Sequence, residues 1–209
     1  MSGTIAFASR DRIPQGAILL TKQQALQHHW ELISQWTPKT DMFPLRAGGG
    51  ISAGAAGIGS IVFHSMFRKH YRLQNFARAS TYLPSVAFPM MGALLSQHLV
   101  SSDIILLNTK CMACVQSKGI ALQLFFGLLY PIVTSPAICI AFALRYNTYA
   151  LPPLKSHYGA IFRDALTALK KRNATVITIF GMQASVIFLL LHMQMRSVLK
   201  LHSRHFLSE

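Results

Sequence analysis

An all-α integral membrane bundle of four transmembrane helices is the fold class this sequence predicts, and three observations carry it. Only 12% of the 209 residues are charged while 52% are apolar, whereas about a quarter of an ordinary water-facing domain is charged. Four windows contain no Asp, Glu, Lys or Arg: residues 47–67, 79–102, 119–144 and 173–195. As a helix rising about 1.5 Å per residue, each window is long enough to cross a hydrocarbon core of about 30 Å. The third observation is charge placement. Twenty basic residues face six acidic ones, and the basic ones flank the windows without forming the aromatic-interleaved stripe of a nucleic-acid binder. The partner they fit is an anionic lipid bilayer surface, not nucleic acid.

Residues 1–46 read as a polar N-terminal segment. Within it Leu19, Leu26, Trp30 and Ile33 recur at spacings of seven, four and three, which makes one stripe of an amphipathic helix between Gly16 and Trp36 apolar. That stripe fits a membrane surface, a partner, or the protein's own bundle. TPKTDMFP, with prolines at 38 and 44, ends the helix. No signal peptide with a small-residue cleavage site opens the chain, and the segment makes at best a weak mitochondrial presequence.

The membrane bundle is expected over residues 47–196. Its first span is rich in small residues: Gly50 and Gly54 form a GxxxG pair, and Ala53 with Gly57 a second small pair one turn on. Such a face lets helices approach closely in lipid, and both readings stay open, packing inside this bundle and packing against a partner's helix. Pro84 and Pro89 in the second span, and Pro131 and Pro136 in the third, predict kinked helices whose freed carbonyls need other donors. Before the last span, an amphipathic helix over about residues 156–171 puts Ile161, Phe162, Ala165, Leu166 and Leu169 on one face and basic residues on the other, the pattern of an interfacial helix. The fourth span is bracketed by Lys170, Lys171 and Arg172 at one end and Arg196 at the other, which suits headgroup anchoring. Residues 197–209 read as a basic C-terminal tail, and the sequon at Asn173 falls at the start of a span and is read as chance.

The three connections between spans carry four, two and six Lys and Arg. By positive-inside logic the first and third face the more negative compartment, and the second lies opposite with both termini. With the terminal segments counted, each side carries ten bases, so the orientation stays open.

Reactive constellations are sparse. No acidic side chain lies inside a span, which argues against proton or cation coupling, and no Walker loop, GxSxG or HExxH occurs. His98 and His192 are the only histidine pair expected on one membrane side for haem ligation, and ordinary polar roles are the simpler reading. No metal and no cofactor are expected. The second connection holds KCMACVQSK. Cys111 and Cys114 supply half of a four-ligand zinc set, with no histidine in the loop. Catalytic Cys-x-x-Cys pairs usually open a helix in a thioredoxin-like unit, a context not expected of a short loop between spans. A Cys111 to Cys114 disulfide and two free thiols both remain, and an oxidising compartment favours the disulfide. Cys139 reads as a small apolar residue within a span.

A Gly/Ala-rich span ending in SMFRKHYRLQNFARASTYLPSVAFPMMGAL, then the CMAC loop, then FFGLLYPIVTSPAICIAFALRY and ALPP, resembles the transmembrane protein 126 family of the mitochondrial inner membrane. The resemblance runs from about Gly48 to Pro153. Its most specific residues are Leu129, Tyr130 and Pro131, then Arg145 and Tyr146, with Cys111 and Cys114 before them; none is a catalytic signature. It implies a non-enzymatic assembly factor that binds membrane-arm subunits of respiratory complex I, together with other assembly factors, as a multi-pass protein of that membrane. A small-molecule carrier of the inner membrane, or an accessory subunit of a respiratory complex, is the alternative.

Overall fold

The computed structural model of the protein describes residues 20–106, 111–150 and 158–207. Among them all regular structure is helical. Four helical stretches, Lys39–His70, Arg78–Ile105, Met112–Tyr146 and Asn173–Ser203, are long and apolar enough to cross a membrane, so the fold class expected from the charge-free windows is the one found.

Helix α1 spans Lys22–Gln35. Thr21 caps it in a reciprocal box with Gln24, the Thr21 hydroxyl accepting from the Gln24 N–H and the Gln24 side chain accepting from the Thr21 N–H, which satisfies two donors otherwise orphaned at a helix start. Ala25, His29 and Ile33 are buried, and Leu26 and Trp30 pack against a core cluster containing Val100, Leu191 and Leu201. The apolar stripe therefore lies on the protein's own bundle. Arg46 ties it down by donating to the carbonyls of Ile33 and Ser34. Leu19 of the expected stripe lies outside the described residues.

Helix α2, Phe43–His70, starts with Pro44 in its first turn and ends on Arg68, Lys69 and His70, basic residues that suit the negative end of the helix dipole. Arg68 does more than sit at a membrane edge. It is buried and donates to the Thr81 hydroxyl and to the carbonyls of Gln74 and Phe76, so it holds together the turn that reverses the chain into α3, Arg78–Ile105. That turn uses left-handed backbone at Arg72, Gln74 and Ala77.

The third span is one continuous helical stretch, Met112–Tyr146, with a π turn set into it just before Pro131. It comprises α4, Met112–Leu124, a π turn over Phe125–Leu129, and α5, Tyr130–Tyr146. Pro131 has no N–H to offer Gly127, four residues earlier, and the ladder locally widens so that the Tyr130 N–H reaches the Phe125 carbonyl. Asn147, left-handed at φ 50°, closes α5, a position where asparagine is the usual substitute for glycine.

Helix α6, Tyr158–Lys170, buries Ile161, Ala165 and Ala168 while Phe162 and Leu166 remain exposed. Its apolar stripe is thus divided between the bundle and the surroundings. Helix α7, Asn173–Leu207, continues well past residue 196, because Val198 and Leu201 are buried in the same cluster as α1; the expected tail is helical over its described part.

The core has two halves. One cluster gathers Ile33, Met42, Val100, Ile105, Val115 and Leu191, at the end shared by α1 and the close of α7. The other gathers Phe63, Phe67, Tyr71, Leu128, Cys139 and Ala165 at the opposite end. Among the described residues the three ion pairs, Asp41–Lys200, Asp103–Lys118 and His70–Asp164, all lie outside the charge-free windows.

Candidate functional site

Between the two apolar halves lies a layer of uncharged polar side chains. Gln183 of α7 donates through Nε2 to the Ala55 carbonyl of α2 at 2.8 Å and, more weakly, to the Gly127 carbonyl of the π turn at 3.4 Å. Its Oε1 accepts from Gln123 Nε2 of α4 at 2.7 Å, and Gln123 also donates to the Ser52 carbonyl and accepts from the Ser52 hydroxyl. A second node, set within the first apolar half beside Leu191, Met195 and Val100, binds Gln194 of α7 to Gln97 and Ser101 of α3 and to the Pro44 carbonyl of α2. All four glutamines are buried. Unpaired amides in hydrocarbon are costly, so the helices must meet in the one arrangement that pairs them.

This layer meets the π turn at Gly127. Gly127, whose carbonyl Pro131 leaves free, sits against Gln183: a Cβ built on Gly127 would meet Gln183 Cδ at 2.6 Å. Gly59 of α2 is equally confined, its Cβ falling 2.7 Å from the Gly127 carbonyl oxygen. Pro131, marked by the family resemblance, is buried, while Leu129 is 53% exposed and Tyr130 half-buried. Arg145 and Tyr146 are exposed at the close of α5, where the Tyr146 ring stacks on Phe76 and Phe142.

The glycine face divides. Gly57 is buried against α3, its Cβ position 2.9 Å from the flexible Met90 Sδ. Gly50 and Gly54 have no atom within 4 Å of their Cβ positions. They line an outward strip of α2 with the exposed Ile51, Ile58 and Ile61. Close helix packing inside the bundle falls instead to Gly48, Gly59, Gly92, Gly119 and Gly127, each of whose Cβ positions lies under 3.0 Å from a neighbouring helix's atom.

Cys111 and Cys114 are exposed free thiols. They lie at the start of α4, where Cys111 is the N-cap and its Sγ accepts from the Cys114 N–H at 3.3 Å. Hydrogen bonds from the Cys114 thiol and backbone hold the Cys111 thiol below its ordinary pKa. Cys139 is buried, with its Sγ 4.0 Å from His64 Nδ1; that nitrogen also meets the Ser85 hydroxyl at 3.0 Å. His98 stacks on Trp30. Among the described residues no group of three or more His, Cys, Asp or Glu is placed to hold a metal ion.

At the opposite end, Asp164 of α6 takes a hydrogen bond from the Tyr149 hydroxyl at 3.5 Å and pairs with His70 of α2 at 3.0 Å. Burial first, and the Asp164 carboxylate second, raise the Tyr149 phenol above its ordinary pKa. Neither this contact nor the glutamine layer is visible in the pattern of charges along the chain. The available signal was the single uncharged amides at 97, 123, 183 and 194 inside charge-free windows.

The family profile described as transmembrane protein 126 matches residues 23–200. A Drosophila melanogaster protein named transmembrane protein 126 is 32% identical over 183 residues, covering 86% of this chain and 82% of its own length. Transmembrane protein 126A of Mus musculus is 30% identical over 134 residues, covering 64% of this chain and 66% of its own. No solved structure matches.

Proposed function

The chain belongs to the transmembrane protein 126 family, and from that premise we propose that it is a non-enzymatic assembly factor of the mitochondrial inner membrane. In this reading it binds newly made membrane-arm subunits of respiratory complex I, and other assembly factors, through its lipid-facing surface.

The observation that carries the reading is the open strip at Gly50 and Gly54. It lies on α2, the span that the bundle otherwise covers most completely, yet a Cβ at either glycine would meet no atom within 4 Å. Small residues beside β-branched ones let a second helix approach backbone to backbone, where dispersion and Cα–H···O contacts supply association that lipid cannot. A partner's transmembrane helix is the natural occupant of such a strip.

The test is native-gel migration of the tagged protein from mitochondria. The wild-type protein is expected to migrate with complex I intermediates. Gly54→Leu is expected to insert normally, because its side chain meets open space, and to lose much of that co-migration. Wild-type protein absent from the intermediates would overturn the assembly role. Undiminished co-migration of Gly54→Leu would overturn the glycine strip as its contact.

A further inference from the structure

The structure places Cys111 and Cys114 in a setting the loop reading does not anticipate. They open a helix: α4 begins at Met112 directly after Cys111, and the run Met112–Tyr146 is 35 residues, about 50 Å at helical rise. That exceeds a hydrocarbon core of about 30 Å. With the charge-free window starting at Gly119, the first turns of α4 project beyond the core into the headgroup and aqueous layer. Both cysteines are exposed there, with exposed Met112 and Ala113 between them. Nearby, Lys118 is held by Asp103 at 2.8 Å, which fixes α4 against the end of α3.

We propose that Cys111 and Cys114 form a thiol–disulfide exchange pair at the membrane surface, whose co-reactant is an accessible disulfide on another molecule. This does not rest on the assembly reading, and it departs from that reading's non-enzymatic role by giving the chain a redox reaction of its own. Cys111 is the attacking thiol: its sulfur sits at the helix start, accepts the Cys114 N–H, and is stabilised as thiolate by that bond and by the helix dipole. Cys114, one turn on, is the resolving thiol.

The chemistry balances without a further reagent. The Cys111 thiolate attacks one sulfur of the co-reactant disulfide, forming a mixed disulfide and expelling the other sulfur as thiolate. Cys114, having given up its proton to solvent, attacks Cys111 Sγ, forms the Cys111–Cys114 disulfide and expels the second sulfur. Two electrons pass from the pair to the co-reactant, whose two thiolates take up protons; the reverse sequence delivers a disulfide.

The test uses the full chain in nanodiscs with two probes, oxidised glutathione and disulfide-bonded insulin. Cys111→Ser and Cys114→Ser report on each thiol. Serine is itself a strong N-cap, so Cys111→Ser keeps the helix start, and circular dichroism confirms both folds. Wild-type protein is expected to gain the Cys111–Cys114 disulfide, read as loss of two alkylation sites, while Cys139 remains a thiol. Cys114→Ser is expected to accumulate the mixed disulfide at Cys111. With both thiols reduced, iodoacetamide is expected to label Cys111 at least about threefold faster than Cys114 at neutral pH. Reaction with either probe supports the exchange pair, and the reacting probe identifies a small-molecule or protein source. Equal adducts on Cys111→Ser and Cys114→Ser, or wild-type protein that keeps both thiols under both probes, would overturn it.

Discussion

Replacing Gln183 by leucine sets two physical arguments against each other. By hydropathy the change is favourable, since leucine partitions into a bilayer and a primary amide does not. By the structure it is unfavourable, because Gln183 joins three other segments through hydrogen bonds to Ala55, Gly127 and Gln123. Hydrogen bonds between transmembrane helices average about 0.6 kcal/mol each, so losing three costs about 2 kcal/mol. Gln123 keeps its bonds with Ser52, and Ala55 keeps its place in α2. The Gly127 carbonyl is different, because Pro131 offers it no N–H. Losing the Gln183 donor where Pro131 already withholds the α-helical one brings the total toward about 3 kcal/mol. Equilibrium unfolding of the purified protein in mixed micelles with increasing SDS measures this directly. Ile177→Ala, at a side chain 66% exposed to the surroundings, serves as the control and is expected to stay within about 0.5 kcal/mol of wild type. A double-mutant cycle with Gln123→Leu is expected to return a coupling of at least about 0.5 kcal/mol. Gln183→Leu as stable as wild type, or more so, would refute the claim that the amide layer holds the bundle.

Gly59→Ala is expected to destabilise by about 1–3 kcal/mol in the same assay, because its Cβ falls 2.7 Å from the Gly127 carbonyl oxygen, a backbone atom that cannot swing away. Gly50→Ala, facing open space, is expected to leave stability within about 0.5 kcal/mol, and equal losses at the two positions would refute the division of the glycine face. The third prediction concerns pH. Burial and Asp164 raise the Tyr149 phenol, so the folded state holds its proton more tightly than the unfolded chain, whose tyrosines ionise near about pH 10. Its stabilising contribution is complete below that pH and is lost as pH rises through the folded value. Asp164→Asn is expected to shift part of the tyrosinate absorbance titration to lower pH; superimposable curves would remove the carboxylate as a cause.

How much was legible beforehand differs by element. The charge-free windows coincide with the helices because a span is selected residue by residue for transfer into lipid, a property each side chain carries alone. The apolar stripe of α1 was visible for the same reason, whereas its destination was not: Leu26 and Trp30 have the same periodicity against a lipid surface, a partner or Val100. For the small residues of α2, periodicity marks a close-approach face without saying who approaches. A Cβ at Gly59 would strike the π turn and one at Gly54 would meet no atom within 4 Å, although the two look alike in the chain.

The sequence by itself determined the class of solvent, the number of spans, the family, and the absence of acidic side chains within the spans, since these rest on composition and local pattern. Only the tertiary structure decided that Pro131 is accommodated by a π turn against Gln183, and that Ser52, Gln123 and Gln183 meet although up to 131 positions apart. It also decided that Arg68 is buried and that Cys111 caps a helix. The physical reason is pairing. An amide, a guanidinium or a freed carbonyl has no favourable place in hydrocarbon until a specific partner arrives, and which partner arrives depends on how four helices cross.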